Sequence, residues 1–512
     1  MLELRRKPAA RIVRPEDEKS AQIGVLDIGS NSVRLIIYRR EGRAFWPILN
    51  EKLLAGLGRG VAETGRLSPE GVEMALSTLR RFRLITEARG VTELLAFATA
   101  AVREAQDGPE FIARIGRECG IDVEVLSGEE EGRLSALGVM AGGADNGLVG
   151  DLGGSSVELC PLQDGQPLAG VTLKLGPLAV LGRGANASAL RAMINAELDS
   201  ARALFSRTGK DFYAVGGAWR NLARVDMTLR DYPLHVLHHY EMSRAQARRT
   251  ATFVASQSAQ SLGELQGVSS RRVALLPYAA LLLECILEHG AFERVVISAY
   301  GVREGALFDR MPEEIQARDP LLAGAAAYAR RLAPASDIGA PLADWVEPVF
   351  TDQLLKRETL LRRAAALLAD IGSVMHPDHR AELAADQVLY SPIAGMDHEE
   401  RAFLATALFH RYAGPAEPPE DFEARHMAPP ETLERARSLG LALRLGCVIS
   451  GRTPALLGLT AIAAKDGMLV LNVSGEGEAL ATEQAEKRLR QLASALGLKP
   501  QILAQGAGGD VT

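Results

Sequence analysis

As far as about Arg310, the chain sets short apolar runs between Gly, Ser, Asn and Pro and alternates them with stretches of helical spacing. Ile23–Leu26 and Val33–Tyr38 lie either side of a Gly/Ser/Asn turn and predict two strands. Across Pro69–Arg89, Val72, Ala75, Leu76, Leu79, Phe82 and Ile85 fall on one helical face. Leu94–Thr99 predicts a buried strand, Pro109–Glu118 a helix and Val123–Leu126 a strand. This is the mixed rhythm of a sheet covered by helices. It restarts at Leu148. After Met311 the chain turns rich in Ala, Leu, Arg and Glu with helical periodicity, which predicts a helical domain. From Leu456, two apolar runs, Leu459–Ala464 and Met468–Val473, flank Lys465-Asp466-Gly467, a hairpin signal, and a helix follows over Thr482–Leu496.

The restart repeats residues as well as rhythm. Val25-Leu26-Asp27-Ile28-Gly29-Ser30-Asn31-Ser32-Val33-Arg34-Leu35 aligns with Val149-Gly150-Asp151-Leu152-Gly153-Gly154-Ser155-Ser156-Val157-Glu158-Leu159, an offset of 151 − 27 = 124. Each copy predicts an Asp near the end of a buried strand, followed by glycine and hydroxyl residues in a tight turn. Glycine lets the backbone approach a phosphate closely, amides and hydroxyls donate to its oxygens, and the carboxylate suits a hydrated magnesium ion. Two such turns in two α/β halves can face each other across a cleft. A lone copy would read as an ordinary hairpin.

Between the copies lies Ser127-Gly128-Glu129-Glu130-Glu131-Gly132-Arg133-Leu134, where a strand ends and a helix starts. Acids in a first helical turn complement the helix dipole, and that accounts for Glu129. Glu130 and Glu131 both flank the inner face set by Leu134, Leu137 and Ala141, so either is placed to act as a general base, and periodicity does not choose between them. Three more segments bring chemistry to strand ends: Leu94–Arg103 with a hydroxyl and an Arg, Val215-Gly216-Gly217 before a helix, and Val295–Gly305. His235, His238 and His239 read as a strand with a structural or surface role.

Composition narrows the partners. Lys and Arg total 58 against 64 Asp and Glu, a net charge of −6, which argues against non-specific nucleic-acid binding or a membrane surface. No apolar run reaches the roughly 18–20 residues of a membrane span. The four cysteines form no CxxC pair and suit a reducing cytoplasm. Residues 1–20 read as a flexible tail without the apolar stretch of a signal peptide. Arginine outnumbers lysine 49 to 9, and arginine is the better bidentate phosphate ligand, although codon bias explains such a ratio as well.

The two turns, the Ser127–Arg133 element, Thr99-Ala100-Ala101-Val102-Arg103-Glu104-Ala105 and Gly301-Val302-Arg303-Glu304-Gly305 occur in an order that resembles the exopolyphosphatase/guanosine pentaphosphate phosphohydrolase family. The resemblance implies an α/β fold of two actin-like (ribonuclease H-like) halves around a cleft, then an all-α HD-like domain and a small α+β module. The division expected is 21–143, 144–312, 313–453 and 454–512. It implies magnesium-dependent cleavage of a terminal phosphoanhydride, in inorganic polyphosphate or guanosine pentaphosphate, by a cytoplasmic homodimer. It favours Glu131 as the base. It assigns Asp151 and Asp27 to magnesium, and Asp27, Gly29, Asn31, Ser32, Arg103, Gly153, Gly154, Ser155 and Ser156 to the substrate phosphates, with Lys174 and Arg271 as further contacts. Tyr278 after Pro277 and Val157 depart from the family pattern. In the helical domain the His-Asp metal pair would fall at Ala369-Asp370, where alanine replaces the histidine, so no second active site is expected there. A small-molecule kinase of the same fold and a non-enzymatic polyphosphate or nucleotide sensor are the remaining alternatives.

Overall fold

The computed structural model describes residues 21–180, 186–206, 209–265, 270–350 and 356–504, without the side chains at 259 and 270–272. The first sheet holds β1 (Ala21–Ile28), β2 (Val33–Glu41), β3 (Ala44–Leu53), β4 (Glu93–Ala98) and β5 (Glu124–Val125), in the order β3-β2-β1-β4-β5. The second holds β6 (Gly147–Leu152), β7 (Val157–Gln163), β8 (Gln166–Pro167), β9 (Val171–Leu173), β10 (Asp211–Val215), β11 (Tyr240–Ser243) and β12 (Arg294–Ser298), in the order β11-β12-β10-β6-β7-β8, with β9 also on β7.

The sequence repeat is a repeat of topology. β1 pairs antiparallel with β2 and parallel with β4, and β6 pairs antiparallel with β7 and parallel with β10. The registers coincide as well: Asp27 faces Arg34 and Ile28 faces Val33, while Asp151 faces Glu158 and Leu152 faces Val157. Each aspartate therefore sits one residue before the end of its sheet's central strand, with its glycine-rich turn just beyond. Strand ends of this kind, at the edge where loops gather, are where open α/β sheets place their ligands.

Helices cover both sheets. Pro69–Ala88 buries Ala75, Leu76, Leu79 and Phe82, the face that the spacing predicts, and Ser68 caps it by accepting from Gly71 N. Beyond the halves, helices such as Pro320–Leu332, His398–Ala413 and Pro430–Ile449 form a helical layer. A third sheet, β13 (Thr460–Lys465), β14 (Met468–Val473) and β15 (Lys499–Ala504), packs with the Glu483–Leu496 helix. One continuous apolar core runs from Leu321 through Trp345 and Leu443 to Leu471 and Ala493, and Trp345 Nε1 donates to Thr460 Oγ1 at 3.0 Å. The helical layer and the small sheet thus share their interior.

Three local readings change. β3 escapes the apolar pattern because Pro47, Asn50, Glu51 and Lys52 interrupt it, and a register shift at Ile37/Tyr38 marks its pairing with β2. Arg103 is not at a strand end: β4 stops at Ala98, and Arg103 lies on a short helix, Ala100–Glu104, begun at Thr99. His235, His238 and His239 precede β11 in a loop rather than forming a strand, and His239 turns the chain at φ 59°. His238 and His239 are packed edge to face at 4.4 Å, and burial pushes both imidazoles below their ordinary pKa. His235 is exposed. The four cysteines are all free and buried. Among the described residues no helix is long and apolar enough to cross a membrane.

Candidate active site

The two turns meet. Ser30 Oγ lies 3.2 Å from Ser155 Oγ, a contact between residues 125 apart. Each turn is closed the same way, by Gly29 N donating to Ser32 O and by Gly153 N donating to Ser156 O, both at 3.0 Å. Between and beneath them is a cavity of about 240 Å³ lined by Asp27, Gly29, Asn31, Ser32, Glu131, Asp151, Gly153, Gly154 and Ser156. Gly216 and Gly217 also line it, at the start of the Gly217–Leu229 helix. Gly216 has φ 115°, and a Cβ there would come within 2.6 Å of Leu152 O, so only glycine allows this close approach to the second turn.

Glu131 reaches the cavity from the first turn of the Gly128–Ala141 helix, whose N-cap Ser127 accepts from Glu130 N. The helix is held in place by a tight crossing with the Val302–Asp309 helix. A Cβ on Gly305 would lie 1.7 Å from Leu134 O, and one on Gly138 2.2 Å from Gly301 O. The two neighbouring acids are separated by this geometry. Glu130 is held by a two-pronged pair to Arg133, with both contacts at 2.8 Å, and Arg133 continues to Asp309. Glu131 is 8% exposed and accepts from Arg103 Nη1 at 3.1 Å. Burial pushes its carboxyl up to about 7; Arg103 opposes that rise and Asp151 adds to it.

Asp151 accepts from Ser135 Oγ at 2.8 Å, and Asp27 lies 3.9 Å from Arg303 Nε. Burial raises both carboxyls above the ordinary aspartate range. Lys52, Arg220 and Arg303 line the cavity too, matching in number its three carboxylates, Asp27, Glu131 and Asp151. Glu304 ties the halves together. It accepts from Tyr38 OH on β2 at 2.5 Å and from Gly301 N at 2.9 Å.

Of the residues singled out from sequence for the site, Ser155 touches the opposite turn and Arg103 touches Glu131, so all but one of those with described side chains converge here. Lys174 is exposed and outside the cavity lining, and the Arg271 side chain lies outside the described residues. Sequence reading missed Glu158. It is 1% exposed, both its carboxylate oxygens lack a hydrogen-bond partner, and burial, then Glu131 and Asp151, raise its pKa well above the usual range. Its signal is the hairpin register, since the residue opposite Asp151 across the second turn is Glu158.

The comparisons agree with this geometry. A family model described as the Ppx/GppA phosphatase family matches residues 36–314, and one described as Exopolyphosphatase, C-terminal, matches 335–503. Exopolyphosphatase 1 of Mycobacterium tuberculosis is 28% identical over 317 residues, covering 57% of this chain and 89% of its own. The Mycobacterium leprae protein of that name is 28% identical over 310 residues, covering 57% of this chain and 90% of its own. The crystal structure of an exopolyphosphatase from Cytophaga hutchinsonii shares the fold at TM-score 0.53 and 24% identity, over 57% of this chain and 97% of its own. The Aquifex aeolicus Ppx/GppA family member does so at TM-score 0.52 and 23% identity, over 58% and 99%. With the matched model spanning more than half its length, the chain belongs to the Ppx/GppA phosphatase family, a family of enzymes with an actin-like fold.

Proposed function

We propose that the protein hydrolyses the terminal phosphoanhydride of inorganic polyphosphate, with magnesium, releasing orthophosphate. The observation that carries this reading is Glu131: one buried carboxyl, raised to about 7, in a cavity between two glycine-rich turns. A general base works best with a pKa near the operating pH, and such a base contributes on the order of 10²–10⁴-fold. Amides and hydroxyls of the turns hold the terminal phosphate, and Glu131 orients a water and takes its proton. Arg103 keeps Glu131 ionisable. Lys52, Arg220 and Arg303 offset the charge that spreads over the phosphoryl oxygens in the transition state.

The residues suit magnesium rather than a full protein cage. Among the described residues no group of three His, Cys, Asp or Glu is placed to hold a metal ion. Magnesium is commonly held by one or two carboxylates, with substrate phosphates and waters completing its shell. Asp27 and Asp151 would supply those carboxylates, and the unpartnered oxygens of Glu158 lie on the strand beside Asp151. Magnesium bound there supplies charge neutralisation for the phosphate oxygens.

The names of the mycobacterial relatives and of the C-terminal model favour polyphosphate over guanosine pentaphosphate, which offers the same terminal bond. The test is phosphate release from long-chain polyphosphate, guanosine pentaphosphate and ATP, each with magnesium. Turnover of polyphosphate at the highest kcat/KM is expected. Turnover confined to guanosine pentaphosphate, or ATP use that requires a small acceptor, would overturn the assignment.

A further inference from the structure

Away from the cleft, a cavity of about 800 Å³ opens between the helical layer and the Glu483–Leu496 helix, and it shares no lining residue with the active site. Five arginines line it: Arg380, Arg411, Arg444, Arg452 and Arg488. It adjoins the segment where the HD-like metal pair would fall, since Tyr412 on its wall donates to Ala369 O at 2.9 Å.

Asp370, the remaining half of the pair, is 1% exposed and fully engaged. It accepts from Ala335 N at 3.0 Å and from Ser373, and it pairs with Arg452 at 3.1 Å. The Arg452 guanidinium thus neutralises the buried Asp370 carboxylate. The other arginines have no such partner. Among the described residues no carboxylate lies in ion-pair distance of Arg380, Arg411, Arg444 or Arg488. Arg411 is 8% exposed, and the buried Nε atoms of Arg380, Arg411, Arg444 and Arg488 all lack a hydrogen-bond acceptor.

Arg411 sits 4.6 Å over the Tyr412 ring and Arg380 6.0 Å from it, so the aromatic face holds these side chains without neutralising them. Arg444 donates to the carbonyls of Arg411 and Tyr412 near the C-terminal end of the His398–Ala413 helix, and Arg488 donates to Gln491. Burial, together with Arg488 and Arg411, pushes the Arg444 guanidinium down to about 10. The acids on the lining are Asp378, Glu382 and Glu417. Glu417 is drawn to Arg425 and Arg437, while Asp378 and Glu382 face His376 and His379.

Like charges crowded in a half-buried cavity are costly unless an anion joins them. Arginine forks match phosphate oxygens in pairs. We infer that this cavity is a second anion site, for a compact ligand with adjacent phosphates. A short inorganic polyphosphate and a nucleoside polyphosphate share the chemistry it would recognise.

The test is equilibrium dialysis of the full chain with inorganic tripolyphosphate at physiological salt and without divalent cations. Arg444→Gln with Arg488→Gln should lower the number of tripolyphosphates bound by one, with phosphate release from short polyphosphate unchanged. Arg488→Gln alone, on the surface helix, should weaken that same class at least tenfold, and covers the case in which the double variant fails to fold. Arg488→Lys keeps the charge but not the fork, and should recover only part of the loss. Guanosine triphosphate as competitor separates the sources. Displacement of this class by less nucleotide than tripolyphosphate assigns a nucleotide, and the reverse order assigns the inorganic chain. An unchanged number and affinity of bound tripolyphosphates in folded Arg444→Gln/Arg488→Gln and in Arg488→Gln would overturn the inference.

Discussion

Replacing Arg103 by methionine should move the acid limb of the pH–rate profile upward, because Arg103 is what holds the Glu131 carboxyl down as far as about 7. The contact is 3.1 Å between atoms, with the two side chains 22% and 11% exposed. Two unit charges about 4 Å apart interact by about 4 kcal/mol at an effective dielectric constant near 20. At about 1.36 kcal/mol per pKa unit this sets a ceiling of about 3 units. Water entering the vacated space lowers the effect, so a rise of about 1–2 units is expected. The sign follows from the role: Glu131 accepts a proton only when ionised, so activity appears as pH rises through its pKa. The assay is kcat/KM for phosphate release between pH 5 and 9. The wild type should rise through about 7 and Arg103→Met should rise at higher pH. A limb that stays in place or moves to lower pH would refute the electrostatic account of Glu131, whatever happened to the rate.

Stability should move opposite to activity at this residue. The folded pKa of Glu131 lies above its ordinary value, so stability falls as pH rises from about 4.5 to about 7. Glu131→Gln should therefore be more stable than the wild type at pH 8, by at most about 3 kcal/mol, with the gain fading as pH falls to 4.5; denaturant melts at both pH values measure this. Ser135→Ala removes the hydroxyl that donates to Asp151, and should raise the magnesium concentration needed for half-maximal activity by roughly tenfold, the worth of a charge-assisted hydrogen bond. Gly305→Ala puts a methyl into Leu134 O and should destabilise the fold by about 3 kcal/mol or more, with loss of activity as the Glu131 helix shifts.

The repeat at offset 124 was legible because each copy encodes the same physical unit, an apolar strand, a glycine-hydroxyl turn and a second strand. The β1–β2 and β6–β7 registers carry that identity into three dimensions. The choice between Glu130 and Glu131 was not legible from periodicity, since both flank the same helical face. It depends on Arg133, which claims Glu130 from one turn away, and on Arg103, which meets Glu131 from another element. Neither partner is a matter of local pattern. Glu158 was hidden for a different reason: in a strand whose other residues are mostly apolar, a single acid reads as an outward-facing position, whereas β7 is covered on both faces. The arginine-lined cavity was likewise invisible, because its five residues lie on segments spread from 380 to 488. Five of the chain's 49 arginines gather there.

The assignment of the base is the centre of the account, and phosphate release from polyphosphate by Glu131→Gln and Glu130→Gln, side by side, tests it most directly. Glu131→Gln should keep the fold and polyphosphate binding and lose on the order of 10²–10⁴-fold in kcat, while Glu130→Gln keeps most of its activity. Retention of activity by Glu131→Gln with an inactive, folded Glu130→Gln would contradict it.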